Sequence, residues 1–298
     1  MARPAWKEMV RDAHRQGKLI LFDGPMGTEL VQSGLNLETT LSHHWNITHP
    51  DAVRVVYEDY SNAGAQALLT NTFSAHVGIV QGEANWQQAV LAALELAREP
   101  EWDHLYAIGS LGTAVGEEST YQDAILRVAK LLNTADGLLL ETQTRMDRTR
   151  VLTEQLVQMD LPPLMVSISY SRFPKEDSCW VAEDTTDEVL SAGEVAKWAT
   201  TQPLLALGAN CGNNLRLSDY LNIMREYREQ TDIALFIRPG ITPSIECEFS
   251  PKEFAGVVKS YAQAGVTMIG GCCGTTPMHT AALRRELEKQ GLLYQDAC

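Results

Sequence analysis

The chain has 298 residues, of which 45% are hydrophobic and 21% charged, enough for one large α/β domain or two ordinary ones. Its formal net charge of -14 argues against a nucleic-acid or anionic-membrane partner, because such partners are bound by clusters of Lys and Arg. The sequence contains neither an apolar run long enough to predict a membrane span nor a recognisable secretory signal. We therefore expect a cytoplasmic protein that acts on small molecules.

Short apolar segments alternate with segments of helical periodicity along the chain, a pattern typical of repeated βα units. The predicted strands are Leu19 to Asp23, Ala67 to Thr72, Leu105 to Ser110, Gly137 to Glu141, Leu164 to Ser169, Leu204 to Asn210, Ile233 to Arg238 and Thr267 to Gly271. The predicted helices are Asp51 to Ala63, Asn85 to Arg98, Tyr121 to Asn133, Arg145 to Met159, Asp187 to Thr200, Leu215 to Glu229, Pro251 to Gln263 and Pro277 to Lys289.

This alternation predicts an α/β fold, a single (β/α)8 TIM barrel, with a doubly wound open sheet as the alternative. We assign residues 1–298 to one barrel domain, in which about residues 1–17 form an N-terminal extension. The longest predicted irregular segment, 171–187, follows the fifth strand. A loop at that end of a barrel is either a lid over the site or an insertion without a role.

Polar residues follow several of the predicted strands, where a barrel enzyme builds its active site. These residues are Asp23, Asn71, Glu141, Cys211 and the adjacent pair Cys272 and Cys273. We expect them to converge at one mouth of the barrel.

Three cysteines lie in glycine-rich motifs, Gly208 to Gly212 and Gly270 to Pro277. Three thiolates leave one open position on a tetrahedral zinc ion, as in a catalytic rather than a structural site. Flanking glycines permit the backbone conformations that turn adjacent sulfurs toward one point. The alternatives are unrelated buried thiols or a vicinal disulfide. The other cysteines, Cys179, Cys247 and Cys298, have no motif around them, and we expect them to be inert.

Two acidic residues are candidate ligands for the polar end of a small molecule. Asp23 begins the turn Asp23 to Glu29, which could offer a carboxylate and several backbone N–H groups to an amino acid, although an Asp in such a turn is often a helix cap. Glu141 ends a very apolar strand, and its burial requires a cationic partner. A substrate ammonium group and Arg145 are equally good candidates from spacing alone.

These motifs resemble those of the homocysteine S-methyltransferase family. The resemblance covers roughly residues 18–290 and is carried, in family order, by Asp23 to Thr28, Thr70 to Phe73, Leu140 to Thr142, Gly208 to Cys211 and Gly270 to Pro277. The block Thr70 to Phe73 is more similar to the homocysteine-binding module of cobalamin-dependent methionine synthase than to the betaine or S-methylmethionine enzymes. The segment Arg238 to Pro243 departs from the family's usual turn near the site.

The resemblance implies a zinc ion held by Cys211, Cys272 and Cys273, with the sulfur of homocysteine as the fourth ligand and methionine as the product. It also implies that Asp23 and Glu141 hold the substrate's amino group, and that N–H groups around Gly27 and Thr28 contact its carboxylate.

The methyl donor is not defined by the motifs. S-methylmethionine, S-adenosylmethionine or a betaine-like onium compound could donate directly, and Trp45 could hold such a cation unless it packs against the rim of the barrel. Alternatively, a separate corrinoid protein presents the methyl group, as in a split cobalamin-dependent methionine synthase.

Two other hypotheses are a thiol-binding barrel without turnover and a structural or redox site. We do not expect the side chains of His43, His44, His76 and His279 to add ligands.

Overall fold

The computed structural model describes residues 3–113, 118–172, 179–182, 189–241 and 249–295. Eight parallel strands form one sheet, in which each strand pairs with its neighbours in the chain and the first also pairs with the last. In chain order they are β1 Ile20–Leu21, β2 Ala67–Leu69, β3 Tyr106–Leu111, β4 Gly137–Gln143, β5 Leu164–Ile168, β6 Ala206–Cys211, β7 Ala234–Pro239 and β8 Val266–Ile269. A parallel bridge from Phe22 to Ala67 joins β1 to β2, and the predicted (β/α)8 barrel is confirmed.

Helices surround this barrel. They are α1 Trp6–Gln16, α2 Met26–Gln32, α3 Trp45–Thr48, α4 Pro50–Asn62, α5 Ala75–Val80, α6 Trp86–Leu96, α7 Glu118–Leu131, α8 Met146–Val157, α9 Ala192–Ala199, α10 Leu217–Gln230, α11 Pro251–Gly256, α12 Val258–Gln263 and α13 Pro277–Lys289, with 3-10 turns at Ser42–His44 and Pro100–Trp102. No helix within the described ranges is both long and apolar enough to cross a membrane.

Alternate residues of the strands contribute to two separate apolar cores, as the two-residue period of a strand requires. In β4, Leu139 points into the barrel and packs with Phe236 and Met268. Its neighbours Leu138 and Leu140 belong to the larger core between the sheet and the surrounding helices. Both faces of each strand are therefore buried, which explains why the strand sequences are almost continuously apolar.

The first helix closes one end of the barrel. Trp6 and Val10 are buried in the inner core, and the Trp6 ring lies 5.8 Å from that of Phe22 and 5.1 Å from that of Tyr106, measured between centroids. Because α1 fills the end opposite the carboxyl ends of the strands, the other end remains available for a binding site.

Three sequence predictions differ from the structure. Asp187 to Thr200 is predicted to be a helix, but the helix spans only Ala192–Ala199, and Val189–Leu190 is a strand. The segment 171–187 is predicted to be irregular, but Ser171–Arg172 and Cys179–Ala182 form a small antiparallel sheet with Val189–Leu190. Its remaining residues, 173–178 and 183–187, lie outside the described residues, and a lid function stays a prediction. The predicted helix Pro251 to Gln263 is divided at Val257, next to a glycine, a residue type that disfavours helix interiors.

Candidate active site

Three thiols meet at the carboxyl end of the barrel. Cys211 ends β6, and Cys272 and Cys273 follow β8. The sulfur of Cys211 lies 2.7 Å from that of Cys272 and 3.4 Å from that of Cys273, and all three are free thiols. Together they form a group whose sulfur atoms are close enough to hold one metal ion.

The backbone turns sharply at each of these motifs. Cys211 has a φ of 50°, in the left-handed region that non-glycine residues rarely occupy, and Gly212 follows with a φ of 104°. On the other side, the N–H of Cys272 donates to the carbonyl of Pro239 (2.9 Å), and the carbonyl of Cys273 accepts from the N–H of Ile241 (2.6 Å). The end of β7 therefore fixes the cysteine pair opposite Cys211.

The close approach of the sulfurs shifts their proton affinities. Hydrogen bonds from the thiols of Cys211 and Cys272 lower the pKa of Cys273 to about 3. The hydrogen bonds of Cys211 with Cys272 and with Cys273 raise the pKa of Cys211 well above its ordinary value. The cluster therefore favours one thiolate beside two protonated thiols, because three negative charges so close together repel one another. A bound cation would allow all three to ionise.

The predicted acidic residues lie next to a cation that the sequence analysis did not assign to them. Arg238, at the end of β7, is buried, with its Nη2 3.2 Å from Asp23 Oδ1 and its Nη1 3.5 Å from Glu141 Oε2. Asp23 Oδ2 accepts from the N–H of Leu69 (2.7 Å), and Glu141 Oε1 accepts from the hydroxyl of Ser110. The three charged groups form one buried network between β1, β4 and β7.

Burial dominates the electrostatics of this network. It raises the pKa of Asp23 to about 7, although the positive charge of Arg238 and the N–H of Leu69 act in the opposite direction. Burial also raises the pKa of Glu141, again against the effect of Arg238. Both carboxylic acids thus hold their protons more tightly than in water.

A cavity of about 480 Å³ lies over the thiols, within the usual size range of small-molecule sites. Cys211, Cys272, Cys273, Glu141 and Arg238 line one side of it. The rest of the lining includes residues at the start of α2, apolar side chains and several polar residues, among them Met26, Gly27, Thr28, Leu37, Leu41, Asn71 and Phe73. Six of the seven predicted site residues therefore share one cavity.

Asp23 differs from the other predicted site residues. Within the part of the chain that the structure describes, it is not among the residues that line the cavity. It is 3% exposed, and each of its carboxylate oxygens already accepts a hydrogen bond from the protein. The alternative role as a cap of α2 is not observed either, since Pro25 is the N-cap residue there.

Two other candidates lie elsewhere. Trp45 is 8% exposed and stacks on His49 with 4.3 Å between ring centroids. It is not among the described residues that line the cavity, and this placement favours the packing interpretation. The side chains of His43 and His44 both reach Glu83, with Nε2 to Oε2 distances of 3.0 and 2.6 Å.

The remaining histidines have other neighbours. His76 is buried, which lowers its pKa to about 4, and its ring lies 5.9 Å from that of Tyr121. His279 Nδ1 forms a hydrogen bond with the hydroxyl of Thr276 at 3.0 Å. Among the described residues, neither histidine belongs to the cluster formed by Cys211, Cys272 and Cys273.

Sequence reasoning did not identify Arg238 and Asn210 as site residues. Asn210 is buried, and its side-chain nitrogen lies 3.5 Å from the sulfur of Cys272. Its position directly before Cys211 in the glycine-rich motif was a usable signal. Arg238 could have been suspected because a charged residue ends the very apolar strand β7, as Glu141 does in β4.

A barrel with a small-molecule cavity and a cluster of three thiols at the carboxyl ends of its strands, close enough together to hold a metal ion, has the architecture of a barrel enzyme. A sequence model of the family described as homocysteine S-methyltransferase matches residues 20–287. The chain therefore belongs to the homocysteine S-methyltransferase family of methyl-transferring enzymes.

Individual relatives are distant. The homocysteine S-methyltransferase of Escherichia coli is 26% identical, over 89% of this chain and 94% of its own length. The methionine synthase of Mycobacterium tuberculosis is 25% identical over 88% of this chain, which spans only 24% of that longer protein. The metallated crystal form of the homocysteine methyltransferase MmuM from Escherichia coli has the same fold, with a TM-score of 0.74, 23% identity and coverage of 93% of this chain and 99% of that one.

Proposed function

We propose that this protein transfers a methyl group to the thiol of homocysteine, forming methionine, with Zn²⁺ held by Cys211, Cys272 and Cys273. The observation that carries the proposal is that these three sulfurs lie together in the wall of a single small-molecule cavity. Family membership adds the class of reaction.

The donor set fits zinc. Thiolates are soft ligands that bind zinc well, and three of them leave one coordination position for a substrate atom. When bound, zinc would lower the pKa of the acceptor thiol, so that the acceptor reacts as a thiolate at neutral pH.

The protein's own groups hold and orient this cluster. The side chain of Asn210 donates to the sulfur of Cys272, which limits the directions in which that sulfur can point. Glu141 faces the cavity beside the cysteines and is available to the polar end of the acceptor. The backbone N–H groups near Gly27 and Thr28 are our candidates for contacts with the acceptor's carboxylate.

We infer a direct onium donor, such as S-methylmethionine, S-adenosylmethionine or a betaine-like compound. The acceptor sulfur attacks the methyl carbon, a sulfur–carbon bond forms, and the donor's bond to methyl breaks with its electron pair returning to the onium atom. The thiol proton passes to solvent. In support, the cavity extends from the sulfurs to an apolar wall that includes Leu41 and the aromatic ring of Phe73, which suits an onium methyl group.

A second candidate is the homocysteine-activating subunit of a split cobalamin-dependent synthase, which would accept its methyl group from a separate corrinoid protein. It is favoured by the match to methionine synthase and by the block Thr70 to Phe73. The side chain of Asn71 in this block also lies in the cavity wall.

One experiment separates these functions. Zinc is first quantified in the purified protein, and methionine formation from homocysteine is then measured with S-methylmethionine, S-adenosylmethionine, betaine and methylcobalamin in parallel. We expect one bound zinc per chain and turnover with one of the three onium donors. Turnover with methylcobalamin alone would select the corrinoid-dependent function. A zinc-loaded protein that binds homocysteine but turns over none of the four donors would contradict the proposed reaction.

A further inference from the structure

We propose that Arg238, which lies between Asp23 and Glu141, already supplies the positive charge that these two buried carboxylates require, so that the enzyme does not require an α-amino group on its thiol substrate. This inference rests on the proposed function and concerns which thiols the site accepts. The acceptor class would be four-carbon mercapto acids, with or without the amino group.

The first step of the argument is the position of Arg238. The side chain of Arg238 is 3% exposed. Its guanidinium contacts both carboxylates, at 3.2 Å from Asp23 and 3.5 Å from Glu141. Nε also donates to the carbonyl of Gly271 (3.1 Å), and Nη2 donates to that of Gly24 (3.2 Å). These contacts fix the planar group in one orientation, so that it remains between the two acids.

The second step concerns Asp23. Its two oxygens accept from Leu69 and Arg238, and it lies behind the described wall of the cavity, whereas Arg238 is part of that wall. A bound acceptor would therefore meet the guanidinium before it could reach this carboxylate. Asp23 is a positioning residue that holds Arg238, and it does not contact the acceptor.

The third step concerns charge. Glu141 is then the acidic group that faces the acceptor, and its Oε2 lies 3.5 Å from the guanidinium of Arg238. The carboxylate of Glu141 would attract an ammonium group bound next to it, and the neighbouring guanidinium would repel that group. The two effects oppose each other, so the α-amino group adds little to the affinity.

The test compares two thiols that differ by one group. Homocysteine and its desamino analogue, 4-mercaptobutanoate, are titrated into the zinc-loaded protein by calorimetry, and each Kd is corrected for the pKa of the free thiol. For the wild type we expect the two corrected values to agree within about threefold, because the ammonium group has no unopposed partner. No methyl donor is needed, so the result does not depend on identifying one.

Three variants distinguish the role of Arg238 from a purely structural one. In Asp23→Asn/Arg238→Gln the buried ion pair is removed as a unit and Glu141 is left without its cation, so homocysteine should bind about tenfold or more tightly than the desamino analogue. Arg238→Gln alone should move the ratio in the same direction. Asp23→Asn is the matched control, and its ratio should stay close to that of the wild type because the contacts with Gly271, Gly24 and Glu141 still hold Arg238 in place.

The outcomes are separable. A wild-type preference for homocysteine of more than about thirtyfold would overturn the inference. An unchanged ratio in an Arg238→Gln protein that retains zinc would do so as well, as would a selective loss of homocysteine binding in Asp23→Asn. If neither thiol bound to the zinc-loaded wild type, the proposed function itself would be contradicted. Should the arginine variants fail to fold, the wild-type ratio and Asp23→Asn still decide the question.

Discussion

The side-chain nitrogen of Asn210 lies 3.5 Å from the sulfur of Cys272 and donates a hydrogen bond to it. The orientation of this amide follows from its other partners: Oδ1 accepts from the N–H of Thr142 at 3.0 Å, and the nitrogen also donates to the Thr142 hydroxyl at 2.8 Å. A backbone N–H must find an acceptor, so the oxygen faces Thr142 and the nitrogen is directed at the sulfur. Asn210 therefore fixes the position of the Cys272 sulfur.

Replacement of Asn210 by Asp should weaken zinc binding about 10- to 100-fold, as is typical for residues that support metal ligands. Aspartate keeps an oxygen for the N–H of Thr142 but removes the donor and places a negative charge beside the thiolates. The affinity is measured by competition with a chromophoric zinc chelator. Asn62→Asp, at an exposed position in α4, is the control and should retain the wild-type affinity. Equal affinities for both variants would show that the contact with Cys272 is not functional.

Loss of one cysteine should remove both the metal and the activity. Cys211→Ala and Cys272→Ala each leave two thiolates, which is too few for a stable zinc site of this type, and we expect no zinc after gel filtration and no methionine formation. Zinc is quantified by mass spectrometry and turnover is measured on the same samples. Cys298→Ala, for which the sequence predicts no role, should retain both. Full turnover by a zinc-free Cys272→Ala protein would refute the proposed chemistry.

The thiol cluster could be predicted from the sequence because short local motifs indicate it. Cysteines beside glycines at the ends of apolar segments place the sulfurs at one end of any parallel barrel. The ion pair of Arg238 was not accessible in this way. Asp23 and Arg238 are 215 positions apart in the chain and meet only when the barrel closes. Spacing can suggest a partner four residues from Glu141, but it carries no information about which side chain faces it across the barrel.

Similar reasoning applies to Trp45 and to the segment after β5. Trp45 follows Leu41 and Ser42 closely in the sequence, and both of these line the cavity. The direction of the Trp45 side chain, however, depends on the 3-10 turn Ser42–His44 and the short helix α3, neither of which has a strong sequence pattern. The strands Cys179–Ala182 and Val189–Leu190 are too short to show a two-residue period clearly. These features depend on tertiary packing more than on local preference.

Gly270 is needed because the backbone passes too close to β1 for a side chain. A Cβ atom at this position would lie 2.6 Å from Phe22 Cβ and 2.7 Å from the carbonyl oxygen of Asp23. Gly270→Ala should therefore destabilise the fold by about 1–3 kcal/mol and displace the cysteine pair, with reduced zinc affinity. Both quantities are measured, the first by urea unfolding and the second by chelator competition.

Gly256→Ala is the matched control for this substitution. A Cβ atom there would have no heavy atom within 4 Å, and the residue ends the surface helix α11. We expect its stability and zinc affinity to equal or exceed those of the wild type, because alanine favours a helix more than glycine does. If Gly270→Ala behaved in the same way as Gly256→Ala, the close packing of β8 against β1 would have no part in forming the site.

Asp23 should make the stability of the protein depend on pH in a defined direction. Burial raises its pKa in the folded state from 3.8 to about 7, so the folded protein holds this proton more tightly than the unfolded chain. The associated stability is present below the unfolded pKa and is lost as the pH rises through the folded value. Relative to Asp23→Asn, the free energy of unfolding of the wild type should fall by up to about 1.4 kcal/mol per pH unit between these limits.

The measurement uses reduced, metal-free protein, since zinc binding has its own pH dependence and would obscure the effect. Urea unfolding is followed at several values between about pH 4.5 and pH 7.5, the interval over which linkage predicts the change. Asp103→Asn removes an exposed carboxylate and should keep the wild-type slope, which makes it the control for a general loss of negative charge. The free energies of unfolding of the wild type and Asp23→Asn could instead differ by a constant amount across this interval. Asp23 would then already be ionised at about pH 4.5 in the folded protein. Arg238 and the N–H of Leu69 together would then stabilise the carboxylate at least as strongly as burial opposes it, because a buried acid keeps its ordinary pKa only when these effects balance.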